Sequence, residues 1–134
     1  MSSIIISTNK DLLDVKFIND FISTTHWAKG RSLKTMLTCI DNSLNFGIYL
    51  DGKQIGYARL VTDYCIFAYL MDLFIDEKHR GKGYSKQLMK YMMEHESVKN
   101  IKVWRLATTD AHGLYKQFGF TPLSHPEKIM ELMK

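Results

Sequence analysis

The chain is poor in cysteine, has no long apolar run and carries almost no imbalance of charge. Its two cysteines, Cys39 and Cys65, stand far apart in 134 residues and outside any Cys-x-x-Cys pair. That excludes a disulfide scaffold and points to a reducing compartment. No stretch approaches the ~18 apolar residues of a membrane span, and Ile4-Ile5-Ile6 is too short, with no basic segment before it, to act as a secretion signal. A soluble, cytoplasmic protein with no membrane partner is therefore expected. The formal charge is 18 − 14 = +4, and the lysines are dispersed rather than clustered with aromatics, which argues against nucleic acid as a partner. No His, Cys or carboxylate cluster has metal-ligand spacing, and no Ser-His-Asp arrangement is readable. Repeats, linkers and low-complexity tracts are missing too, so residues 1–134 are expected to form one domain.

What the chain does have is the material of a packed core: 46% hydrophobic residues, including seven Phe, seven Tyr and two Trp. Ile4 to Ser7 reads as a strand, with Asn9 and Asp11 as candidate helix caps. Leu12, Leu13, Val15, Phe17, Ile18, Phe21 and Ile22 recur at helical spacing. Gly30 interrupts, Ser32 can cap a second helix, and Leu33, Met36, Leu37 and Ile40 give it an apolar stripe. Phe46 to Leu50 and Ile55 to Thr62 are strands joined by Asp51-Gly52, a dipeptide suited to a hairpin turn.

Phe67 to Ile75 is apolar except for Asp72, as a central strand covered on both faces would be. A helix runs to about Glu96, with Leu88, Tyr91 and Met92 inward and Lys82, Lys86 and Lys90 outward. Ile101 to Ala107 is a further strand, and Asp110 to Phe118 a short helix stopped by Gly119. Lys128 to Met133 alternates as a last strand would. The order predicts an α/β fold with a mixed, mostly antiparallel sheet flanked by helices.

Arg80-Gly81-Lys82-Gly83-Tyr84-Ser85 lies where the buried strand ends and a helix begins. The first N–H groups of a helix lack intrahelical partners and sit at the positive end of its dipole, so the main chain there can hold an anion, and glycines let a phosphate approach closely. The segment is neither a Walker A loop nor a Gly-x-Gly-x-x-Gly turn. By itself it reads equally well as a plain strand-to-helix turn.

Paired with a second segment further along the chain, however, it resembles the pyrophosphate loop of the GNAT superfamily of acyl-CoA-dependent N-acetyltransferases, whose Gln/Arg-x-x-Gly-x-Gly/Ala pattern is met by Lys78-His79-Arg80-Gly81-Lys82-Gly83 with Lys78 departing at the first position. The second segment, Ala111-His112-Gly113-Leu114-Tyr115-Lys116-Gln117-Phe118-Gly119-Phe120, resembles that family's Ala-x-x-Leu-Tyr-x-x-x-Gly-Phe signature. Thr108 stands where the family commonly has Asn.

The resemblance implies acetyl transfer from acetyl-CoA to a primary amine, on a small molecule or a lysine-bearing acceptor, within a ternary complex of a monomer or homodimer. A catalytically idle CoA-binding module on the same fold is the alternative. The resemblance also implies that the strands at 67–75 and 101–107 splay, so that Leu73, Phe74 and Ile75 pair with pantetheine as a strand edge would. Arg80, Gly81, Lys82, Gly83, Tyr84 and Ser85 then hold the diphosphate, and Thr108 adds a polar contact. Tyr115 faces the leaving sulfur; a phenol near ~10 is a weaker acid than a thiol near ~8.5, so it acts as a positioned donor.

An alkylamine near ~10.4 is almost wholly protonated at neutral pH, so a base is useful. Asp72 is one candidate if burial raises its pKa; an Asp paired with Arg59 or another cation, or simply exposed, is the other reading. His26, Trp27 and Arg31, between the early helices, and Asp63 and Tyr64, at the end of a strand, are candidates for the acceptor pocket.

Overall fold

The computed structural model describes residues 2–134. Five strands, β1 (Ile4–Ser7), β2 (Leu44–Leu50), β3 (Lys53–Thr62), β4 (Phe67–Ile75) and β5 (Val103–Leu106), form one sheet in chain order. The first three pairings are antiparallel and β4–β5 is parallel, as the mixed pattern predicts. The β2–β3 turn places Asp51 at φ 48° and Gly52 at φ 85°, the left-handed pair of a two-residue hairpin loop. The Asp51 carboxylate also accepts the Ser3 N–H at 2.8 Å, tying the start of β1 to that turn.

Helices α1 (Val15–Ile22) and α2 (Leu33–Asp41) cover one face of the sheet. Ile18, Ile22, Met36 and Ile40 pack there with Tyr57 and Phe74. Ser32 caps α2 as expected, accepting the Thr35 N–H at 3.1 Å. Asp14 rather than Asn9 or Asp11 caps α1, accepting from Phe17 N–H at 3.1 Å, while Asn9 caps a single 3-10 turn at Lys10–Leu12. The other face carries α3 (Tyr84–Glu94) and α4 (His112–Lys116). Leu88, Met89, Met92 and Tyr115 close a second core there with Phe46, Ile48 and Leu70. Tyr91, expected inside, is 38% exposed: Met89, a position on the other side of Leu88, faces the sheet instead.

Several expected elements are trimmed at their ends: α1 begins at Val15, α3 stops at Glu94, the strand after it runs from Val103 to Leu106, and α4 spans only His112–Lys116. One does not form. Beyond a 3-10 turn at Pro126–Lys128, residues 129–134 are irregular and exposed, because an alternating segment is a strand only where it has a ladder partner. A cavity of about 560 Å³, lined by Trp104 and Arg105 of β5 and by Phe120, Leu123 and Ile129, separates this segment from the sheet. Among the described residues no helix is long and apolar enough to cross a membrane.

β4 contains the feature that positions the site. Tyr57 pairs with Phe74 and Arg59 with Met71, so Ala58 alone opposes both Asp72 and Leu73: a β-bulge, with Asp72 at φ 55°. The extra residue slips the alternation by one. Ala68 and Leu70 before the bulge, and Leu73 and Ile75 after it, all reach the α3–α4 core, while Phe74 reaches the α1–α2 core. Strict alternation would have carried Asp72 into the α3–α4 core with Leu70. The bulge turns it to the opposite face, where Arg59 lies.

Candidate active site

The expected splay is present. β4 pairs with β5 only from Phe67↔Val103 to Leu70↔Leu106, so on the β5 side Met71 to Ile75 have no strand partner. This free edge leads into the turn before α3. Gly81 at φ 76° and Gly83 at φ 81° hold the turn in the left-handed region, where an L side chain is strained. Across it the N–H groups from Gly81 to Lys86 find no acceptor among the described residues; the next, Gln87, donates to Gly83 O at 3.1 Å. Lys86 was not among the loop residues inferred from sequence, yet its N–H belongs to the same orphan first turn.

The side chains of Lys82 and Lys86 are exposed, whereas Tyr84 and Ser85 are half-buried. Arg80 is anchored in two directions: its Nε donates to Ile75 O at 3.1 Å, and its guanidinium lies 5.8 Å from the Phe21 ring centre. Thr108 Oγ1 accepts the Ala111 N–H at 3.0 Å at the entry to α4, a capping role that leaves its own hydroxyl proton available.

Tyr115 is buried on α4, its ring 6.0 Å from Phe120 in an edge contact. Phe120 N–H donates to Tyr115 O across the Gly119 turn, which locks the two aromatics together. The phenol makes no hydrogen bond within the protein among the described residues, yet its oxygen is not among the sealed, unpartnered ones. Burial, and secondarily the Asp110 charge, push its pKa up, so the hydroxyl holds its proton.

On the other face the bulge delivers Asp72 to a charged cluster. Its Oδ2 accepts from Arg31 Nη1 at 2.8 Å and Arg59 Nε at 2.9 Å, and its Oδ1 from Trp27 Nε1 at 3.0 Å. Burial alone would raise the carboxyl, as expected from sequence. The Arg31 hydrogen bond and the Arg59 charge together outweigh it and hold the group below the usual carboxylate range. The pairing with Arg59 is the alternative read from sequence, whereas the joining of Arg31 and Trp27 to the same carboxylate was not foreseen. Arg59, a lone arginine at an inward position of an apolar strand, spends its other donors on Ser43 Oγ and Met71 Sδ.

His26 sits edge-on to Trp27 at 5.4 Å, so His26, Trp27 and Arg31 are brought together with Asp72. Asp63 and Tyr64 are not. The Asp63 carboxylate caps its own turn, accepting from the N–H groups of Cys65, Ile66 and Phe67, and those bonds lower its pKa. Tyr64, at φ 61°, borders a cavity of about 370 Å³ beside Ser43 and Asn45.

The family model for the acetyltransferase (GNAT) domain matches residues 41–122, the stretch that carries the bulge, the orphan N–H turn and Tyr115. The chain belongs to the GNAT acetyltransferase family. A crystal structure of a GNAT-family protein from Xanthomonas campestris, named "putative acetyltransferase", superposes with a TM-score of 0.95 at 44% identity, covering 98% of this chain and 94% of that one. In Gibberella zeae, "Putative acetyltransferase FG08082" is 26% identical over 132 residues, covering 83% of this chain and 75% of that protein. A Clostridium acetobutylicum protein whose crystal structure was determined with acetyl-CoA shares the fold at a TM-score of 0.72 and 15% identity, over 99% of this chain and 96% of that one. This GNAT protein is thus an acetyltransferase at the level of family and fold.

Proposed function

We propose that this GNAT protein transfers an acetyl group from acetyl-CoA to the primary amine of a small molecule or a lysine side chain, with donor and acceptor bound together. The observation that carries the reading is the run of unpaired main-chain N–H groups from Gly81 to Lys86 at the start of α3, continuous with the edge of β4 at Met71 to Ile75 that has no strand partner on the β5 side, Ile75 O being taken by Arg80 Nε. A diphosphate satisfies the first and an extended chain of amides the second. Arg80, Lys82, Tyr84 and Ser85 flank the diphosphate position, Leu73, Phe74 and Ile75 offer the strand edge, and Thr108 lies beyond it. When bound, acetyl-CoA supplies the activated acetyl group.

In this reading Tyr115 keeps its proton at neutral pH and donates a hydrogen bond toward developing negative charge. Asp72 is assigned a positioning role rather than that of a base. A carboxylate already accepting from two guanidiniums and an indole, and held below its usual pKa, has little affinity for an ammonium proton. Its work is to hold Trp27 and Arg31 at the acceptor side.

Calorimetry with acetyl-CoA, followed by thiol release against a panel of amines, tests the proposal. Saturable binding and amine-dependent thiol release are the expected results. No binding at millimolar acetyl-CoA removes the donor, and binding without thiol release from any amine removes the reaction.

A further inference from the structure

One carboxylate, Asp72, faces two guanidiniums, Arg31 and Arg59, and among the described residues neither arginine has another acidic partner within salt-bridge distance. The cluster therefore holds one positive charge in excess within the protein. The two arginines differ in what they have left to offer. Arg59 is 7% exposed at its side chain and uses all its nitrogens, on Asp72, Ser43 and Met71. Arg31 is 14% exposed and uses only Nη1, on Asp72 and weakly on Met36 Sδ. Its Nε and Nη2 have no acceptor and are not among the sealed, unpartnered atoms. A pair of donors in guanidinium geometry is therefore left unspent and not sealed from solvent.

Trp27 is the second half of the observation. The residue is 47% exposed, yet its indole Nε1 is tied to the buried Asp72 at 3.0 Å. A large, partly exposed aromatic is thus held at a fixed orientation on the same carboxylate that holds Arg31, with the His26 ring edge-on to it. A fixed aromatic and an unspent fork of donors, both held by Asp72, match a ligand with an apolar body and an oxyanion.

Resting on the proposed acetyl transfer, we infer that Arg31 and Trp27 select the acceptor: a primary amine that also carries a carboxylate or phosphate, its oxyanion on the Arg31 fork and its apolar body against the indole. Asp72 and Arg59 position this pair and do not touch the acceptor. The buried Asp72–Arg59 pair persists without Arg31, so the arginine can be altered without leaving that carboxylate unpaired.

The test compares matched amines by thiol release: phenylalanine against phenethylamine, and O-phosphoethanolamine against ethanolamine. The anion-bearing member of at least one pair should have a kcat/KM roughly tenfold or more higher, as charge-assisted hydrogen bonds warrant, and the favoured pair tells carboxylate from phosphate. In Arg31→Gln that ratio should fall to near one; in Arg31→Lys, which keeps the charge without the fork, it should be intermediate. Independently of any variant, 3-phenylpropionate should compete with the amine in the wild-type enzyme, and 3-phenylpropanol should not. Thiol release with equal or reversed preference, or a preference that survives Arg31→Gln, overturns the inference and leaves acetyl transfer standing. Bound acetyl-CoA with no thiol release from any of these or a wider amine panel overturns both.

Discussion

Tyr115 has its ring in the core and its hydroxyl unbonded. Removing that hydroxyl takes away a hydrogen bond without emptying the packing around it. Tyr115→Phe is therefore expected to lower kcat by roughly a hundredfold, within the range of a lost proton donor, while acetyl-CoA affinity in calorimetry stays put. Because burial raises the phenol's pKa, the donor should remain loaded past the ordinary tyrosine value near ~10, and kcat should lose it only beyond that pH.

Asp72 is the opposite case, a group whose loss is structural. Asp72→Asn leaves two largely buried guanidiniums without their counter-charge, and urea denaturation should record a loss of roughly 3–5 kcal/mol. The sign with pH follows from the lowered carboxyl. The stabilisation is complete above the unfolded value near ~3.9 and disappears as pH falls through the lower folded one. Wild-type protein should show that acid-side loss, and Asp72→Asn should lack it. The sequence revealed a single carboxylate in an apolar strand and its two possible meanings. It could not choose between them, because the choice depends on where the bulge turns the side chain and on Arg31 arriving from a segment some forty positions earlier.

At the scale of elements, the turn before α3 depends on a backbone angle. Gly83 has φ 81° with nothing within 4 Å of where a Cβ would stand, so an alanine there meets strain rather than a clash. Gly83→Ala should cost about 1–2 kcal/mol of stability and weaken acetyl-CoA binding more than it alters folding, as calorimetry and thermal melts together would record. This turn, the hairpin at Asp51-Gly52 and the Ser32 cap were legible because each is local chemistry, written in a few adjacent residues. The bulge in β4 and the fate of residues 129–134 were not. The first needs the partner strand to reveal that Ala58 faces two residues. The second repeats a strand's alternation with no edge to join, and Tyr91 likewise satisfied helical spacing but lost the inward position to Met89.

For the molecule as a whole, the two cores divide the work. The α3–α4 face holds Tyr115 and the orphan N–H turn, and the α1–α2 face holds the Arg31 cluster, with β3 and the bulged β4 contributing side chains to both. The family resemblance pointed to the first face, since its two motifs lie there. The second was visible only as scattered candidates, for its members come from three separate stretches of chain.

The strands lie side by side in the order they occur along the chain. β1 joins β2 across the early helices, β2 to β4 follow one another through short connections, and β4–β5 is a parallel seam of four residue pairs closed only after α3 has been laid across the sheet. Long-range closure of this kind is slow to form and readily reopened. A seam that should breathe is therefore the one bordering the proposed donor slot. Amides of β5 should exchange faster than those of β3, and acetyl-CoA should slow them selectively, so that hydrogen–deuterium exchange reads occupancy of the slot as a tightening of that join.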